Sequence, residues 1–349
     1  MSFFGGLFTR KKRIESAVLI DISADSVAGA YAYAVEGELP VVLYTQRLPI
    51  ETRAGEARAR AMLRALQTLG ETLIREGAPM LARATGSGSA AGFFVSVDAP
   101  WQKTSVRTEY LEQKTPFTFS KSLVAAALKR SRAAPPDHVL VDESIIGTIL
   151  NGYETRDPYG KQAQRASIVV LASLIDEEVA RGIQAALRGL YHTTHISSLS
   201  GCSLRYQAMR VAFPHEHDAL ILDATGLLTS IVLVRNGLFV AIVDRTDTAT
   251  ARDSWAGGIT KELTELAKRY PLPRTIFLLA REPDILSVSQ TLGTIPFGKL
   301  WLSDNPPKVV PVLASHLVGL VRQTADTPPD IALLLMTLYW HRHATGGNA

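Results

Sequence analysis

Short apolar runs that end in an acid open this chain twice. Ala17–Ile22 (AVLIDI) is rich in β-branched residues and predicts a strand closing on Asp21. Val27–Val35 and Val41–Leu48 follow as two further strands. Glu36-Gly37-Glu38-Leu39-Pro40 parts them, a hairpin-type break. From Glu56 to Glu76 the period changes. Met62, Leu66, Leu69 and Leu73 recur at three- and four-residue steps with arginines opposite, which predicts a long helix. At Asp218 the order begins again. Ala219–Asp223 (ALILD) is a strand ending in an acid, and Ser230–Val234 and Leu238–Val243 flank an Arg235-Asn236-Gly237 turn. Trp255–Tyr270 then reads as a helix. A repeated strand, hairpin and helix is a fold-level signal stronger than any single motif here.

Between the copies, Thr85–Ala90 reads as a glycine-serine hinge and a first boundary. Beyond it come a strand (Phe93–Val97), the turn Pro100-Trp101-Gln102 and an extended run, Val106–Leu111. A helix capped by Ser120 runs to Arg132 and stops at Pro135-Pro136. Strands follow over Val139–Asp142, Ile145–Asn151 and Ser167–Leu174, then a helix over Glu177–Leu190 capped by Asp176. This block reads as a small α+β module lodged in a larger α/β domain. The expected partition is 1–16, an apolar and basic start; 17–85, the first domain; 90–191, the insertion; 192–217, a return to the first domain; 218–326, the second domain; and 327–349, a final helix and tail.

Composition narrows the classes. A length of 349 residues is a prior for two folding units, and 46% hydrophobic against 20% charged residues excludes a disordered chain. A net charge of +4, its main cluster the short run Arg10–Arg13, is weak evidence for nucleic acid, and no such partner is expected. The single cysteine, Cys202, excludes an internal disulfide framework and reads as a buried thiol. The paired histidines His192/His195 and His215/His217 read as turn residues, so no metal site is expected from them. No apolar run reaches the ~18–20 residues of a spanning helix. The first residues place apolar before basic, the reverse of a secretory signal, so a cytoplasmic protein or one peripheral to the inner membrane is expected. The near-continuous apolar stretch Ile331–His343 favours a final helix packed on the second domain. The alternative is an interfacial helix with Trp340 at headgroup level and Arg342 near anionic lipid. Phe3, Phe4, Phe8, Lys11 and Lys12 would then serve as a second weak anchor.

The duplicated acid-ended strand and hairpin resemble the actin-like ATPase superfamily, whose two turns clamp the phosphates of ATP beside its magnesium. The insertion sharpens this. Asn151-Gly152-Tyr153 to Asp157-Pro158-Tyr159-Gly160 is similar to the loop inside the extra subdomain of FtsA and PilM, the divisome and type IV pilus members. Trp255-Ala256-Gly257-Gly258-Ile259-Thr260 resembles the family's Gly-Gly helix start, and Pro311–Leu320 its closing helix. The resemblance implies duplicated actin-like (RNase H-like) domains with an inserted FtsA-type subdomain. It further implies a scaffold docking pilus assembly machinery, with a cell-division membrane tether or a working ATP-binding ATPase as the alternatives, and possible self-association. Its partner would be the short N-terminal peptide of a bitopic inner-membrane protein, PilN-like, or a divisome protein. That peptide is expected near Trp101, Gln102, Asn151, Tyr153, Asp157 and Tyr159.

If a nucleotide site is retained, the resemblance places ATP and Mg2+ among Asp21, Ser23, Ser26, Asp223, Thr225, Gly226, Thr229, Gly257 and Gly258. The residues themselves read as degenerate. Phosphate turns need glycine for close backbone approach, yet Ser23 follows the first acid-ended strand and Leu227-Leu228 follow Gly226. The late strand Ile276–Ala280 runs into Arg281-Glu282-Pro283 with no glycine where the adenosine element should be. On this reading Asp21 and Asp223 cap their turns, and no catalytic residue is expected.

Overall fold

The computed structural model describes residues 13–345, apart from 131–134, 136, 156, 194, 246–251 and 302–305. The anchor expected at Phe3, Phe4, Phe8, Lys11 and Lys12 therefore lies outside the described residues. The chain opens with β1 (Ile14–Ile22), β2 (Ser26–Val35) and β3 (Val41–Pro49). Helix α1 (Arg58–Thr72) continues through a π turn into α2 (Ala78–Thr85). The sheet resumes with β4 (Gly92–Val97), and the insertion contributes β5 (Gln102–Thr118), α3 (Lys121–Arg130), β6 (His138–Leu150), β7 (Tyr153–Glu154) and β8 (Gln162–Asp176). Then come α4 (Glu177–Tyr191), β9 (Ser197–Ser200) and α5 (Gly201–Ala212). The second half runs β10 (Ala219–Ala224), β11 (Thr229–Arg235), β12 (Leu238–Arg245), α6 (Arg252–Ala267), β13 (Thr275–Ala280), α7 (Ile285–Gly293), β14 (Lys308–Pro311), β15 (Arg322–Gln323) and α8 (Ile331–Thr345).

The first sheet has the order β15-β3-β2-β1-β4-β9 and the second β12-β11-β10-β13-β14. In each, an antiparallel three-strand meander is continued by two strands parallel to its first member. The repeat seen in the sequence is thus a repeat of topology.

Period-two alternation decides what each face of these sheets does. On β2 the alanines Ala28, Ala30, Ala32 and Ala34 share one core with α5 and α8, while Val27 and Tyr31 point into the core beneath α1. On β1, Ala17 and Leu19 join the helix-facing core and Val18 and Ile20 the other. On β10, Ala219 and Ile221 face the same α5–α8 layer, and Leu220 and Leu222 pack under α6 with Trp255. Small residues on the inner face of β2 let the two helices approach closely between the sheets.

Several expectations change here. Thr85–Ala90 is no domain boundary, because β4 pairs in parallel with β1 and stays in the first sheet. The strands expected at Val139–Asp142 and Ile145–Asn151 are one strand, β6, with register shifts near Leu140 and Ile145 that break its alternation. The insertion is the β5-β8-β6-β7 sheet with its own core around Phe119 and Ile168. Helix α4, inside the expected 90–191 block, packs its Ile183 and Leu187 into the α1 core instead. Pro311–Leu320 is not a closing helix but the end of β14 and a single 3-10 turn, Ala314–Leu317.

Helix α8 is buried without a break from Ile331 to Trp340. Its neighbours are α5 and the first sheet's β1 and β2. It does not lie on a membrane through Trp340: both its faces are covered by the inter-sheet core, to which both sheets contribute. Among the described residues no helix is long and apolar enough to cross a membrane.

Candidate functional site

The alternation that sorts the cores also aims two acids. Asp21 continues the Ala17–Leu19 face of β1, and Asp223 continues the Ala219–Ile221 face of β10, so both carboxylates point to the layer of α5. There they meet Arg205, whose side chain is only 4% exposed. Its Nη2 donates to Asp21 Oδ1 at 3.1 Å, and its Nη1 lies 3.0 Å from Asp223 Oδ2. A third carboxylate, Asp98 just beyond β4, takes the fork of the guanidinium at 2.8 and 2.7 Å. Ser200 caps α5, its Oγ accepting from Ser203 N, and Gly201 follows it. Any Cβ at position 201 would collide with the Asp98 carboxylate.

Burial opposes the Arg205 charge, but Asp223, Asp98 and Asp21 outweigh it and hold the guanidinium protonated. Burial pushes the Asp98 carboxyl up to about 6, against the pull of Arg205. An acid raised in the folded state binds its proton more tightly there than when unfolded, so folding gains stability as pH falls from about 6 towards 4. Asp98→Asn is therefore expected to lose that gain. Urea midpoints of wild type and variant should diverge between pH 7 and pH 5, and parallel curves would contradict the assignment.

A second cation seals the first turn. Arg47 on β3 bonds Asp21, Ser26 Oγ and Asp330, whose Oδ1 caps α8 at Leu333 N. A third comes from the other domain. Arg281, following β13, donates to both oxygens of Asp25 at 2.8 Å and to Ser26 Oγ at 3.2 Å. The two turns then touch: a Cβ at Gly226 would sit 3.3 Å from Ser23 Cβ. The cavity left between Ser23, Asp98, Asp223, Thr225 and Leu228 is about 20 Å3. That is room for about one water, against roughly 300 Å3 or more for an ordinary ligand site.

Each expected nucleotide residue has another task. Asp21 is an ion-pair partner rather than a turn cap, whereas Asp223 Oδ1 does cap its turn, accepting from Thr225 N and Oγ1. Ser23 Oγ bonds within its own turn. Thr229 is fully buried and accepts from Trp255 Nε1, and Gly257 and Gly258 lie inside α6. The residues that matter most, Arg205, Asp98, Arg47 and Arg281, were not singled out from sequence. One signal was present, a lone arginine amid the small and apolar residues of Gly201–Met209.

The six residues expected at a partner surface do not come together. Trp101 is buried in the α1 core with Nε1 donating to Ser23 O at 2.8 Å, and buried Gln102 donates to Thr104 and Ser200. Both hold the base of the insertion and offer no surface. Asn151, Tyr153, Asp157 and Tyr159 sit at its far end, a run of β5 away, on the order of 30 Å. Asn151 shapes its turn by accepting from Gln164 N and Arg165 N, while Tyr153 is 78% exposed.

No protein-family profile and no curated protein sequence matches the chain. Among solved structures, a chain of the PilM-PilN type IV pilus biogenesis complex superposes with a TM-score of 0.52 at 15% identity, covering 94% of this chain and 98% of that one. The chain has the actin-like fold. Weaker likenesses are a Bacteroides thetaiotaomicron protein described as having an actin-like ATPase fold (TM-score 0.46, 10% identity, 95% and 98% covered) and the ethanolamine utilization protein EutJ of Carboxydothermus hydrogenoformans (0.40, 11%, 94% and 90%). Between the acid-ended turns of the two domains lies a cleft, and it holds arginines.

Proposed function

We propose that this chain is a non-catalytic actin-fold scaffold at the cytoplasmic face of the inner membrane, PilM-like, docking type IV pilus assembly machinery. One observation carries the non-catalytic part. The guanidinium of Arg205 stands among Asp21, Asp98 and Asp223, where a metal–nucleotide complex would need those acids free. A magnesium ion would need carboxylates that here are already satisfied by a buried cation, and the phosphates would meet a space of about 20 Å3. The residues present do not fit ATP and Mg2+. The docking part is supported by the likeness to a chain from a PilM–PilN complex over nearly its whole length. A PilN-like partner would present its short N-terminal peptide beside the inserted subdomain.

Calorimetric titration with ATP and magnesium is expected to show no heat of binding up to millimolar nucleotide and no phosphate release. Micromolar affinity with turnover would reject the scaffold reading. The second arm titrates the N-terminal peptide of a PilN-like bitopic protein, for which saturable binding is expected. If neither ligand binds, the docking role falls while the closed cleft stands.

A further inference from the structure

Away from the cleft, cationic side chains gather where helices α5 and α8 end. Helices α5 and α8 pack together between the sheets, and their last turns enclose a pocket of about 260 Å3. Its walls are Gln207, Arg210 and Val211 from α5 and Tyr339, Arg342 and His343 from α8. No carboxylate lines it. Among the described residues neither Arg210 nor Arg342 joins an ion pair, in contrast to Arg47, Arg64, Arg107, Arg205, Arg245 and Arg281.

Arg210 and His343 are held in place there. The Arg210 guanidinium lies 5.8 Å from the Tyr206 ring centroid. The His343 ring stacks on Tyr339 at 3.9 Å, and its Nδ1 is 2.9 Å from the Tyr339 carbonyl oxygen. A carbonyl only accepts, so Nδ1 carries the proton and Nε2 is the ring's remaining polar atom. Cations at helix C-termini commonly answer the carbonyls of the last turn. That accounts for one arginine on each helix. It does not account for their meeting, with a histidine, around one shared space free of acids.

We propose that this pocket binds a phosphate group, with Arg210 and Arg342 as its two forks and His343 beside them. Guanidinium groups match phosphate oxygens in geometry and charge, and the pocket has room for such a group. Helices α5 and α8 lie side by side between the sheets, so a bound anion would cross-link the two. This site is independent of the scaffold reading. The phosphate could belong to a free small molecule or to an anionic lipid headgroup.

Two probes distinguish those sources: inorganic phosphate against chloride at matched ionic strength, and phosphatidylglycerol against phosphatidylcholine vesicles. Wild type is expected to melt higher with phosphate, saturably, and R210A/R342A to bind it about tenfold more weakly. An arginine-dependent response to phosphate alone identifies a small-molecule site. An arginine-dependent loss of phosphatidylglycerol sedimentation identifies a headgroup. Both side chains are exposed, so the fold should survive; if the alanine pair melts low on its own, R210K/R342K carries the comparison and should bind at an intermediate level. No saturable response to either probe, or equal responses in wild type and variant, overturns the proposal.

Discussion

Arg205→Met will destabilise the protein by about 3–5 kcal/mol, the usual effect of removing one partner from a buried ion cluster. The substitution preserves most of the side-chain volume and deletes the charge. Asp21, Asp98 and Asp223 would then repel one another in a site where Asp21 is 2% exposed. The loss should show as a lower urea midpoint. Neutralising the acids in the same background (Asp21→Asn, Asp98→Asn and Asp223→Asn together with Arg205→Met) should recover part of it, because the penalty comes from uncompensated charge rather than from lost packing. A midpoint for Arg205→Met within about 0.5 kcal/mol of wild type would remove Arg205 as the keystone of the cleft.

Deleting α8 will unfold the first domain rather than detach the protein from a membrane. Leu333, Leu334, Leu335, Met336, Leu338 and Trp340 are each at most 3% exposed. Even at the low end of side-chain burial, the six together contribute roughly 9 kcal/mol. A whole domain is stable by only about 5–15 kcal/mol. The deletion also strips Arg47 of Asp330, leaving that arginine with Asp21 as its remaining acid. A chain spanning Glu15 to Asp326 should therefore lack a cooperative melt by circular dichroism. A sharp transition within a few degrees of the full chain would show α8 to be dispensable and return it to the membrane role considered for Trp340 and Arg342.

Much of the architecture could be read from residue order. The acid-ended apolar runs at Ala17–Ile22 and Ala219–Asp223, the Asn236-Gly237 turn and the α1 periodicity are local signals, each carried by its own element. They were enough to reveal the duplication. Helix α8 stood at the limit of such reading. Its apolar run showed that it is covered, and only packing showed by what: the first sheet and α5. The cleft lay beyond that limit. Asp21, Asp98, Arg205 and Asp223 are spread over more than half the chain, and no local pattern links an acid on β1 to an arginine on α5. Their meeting depends on two sheets turning equivalent faces toward one helix layer, which is a property of tertiary structure. The sequence determined that each acid ends its strand on the inner face; the fold decided that the space they share is filled by a guanidinium, because a buried cluster of carboxylates needs a cation and Arg205 is the one α5 supplies.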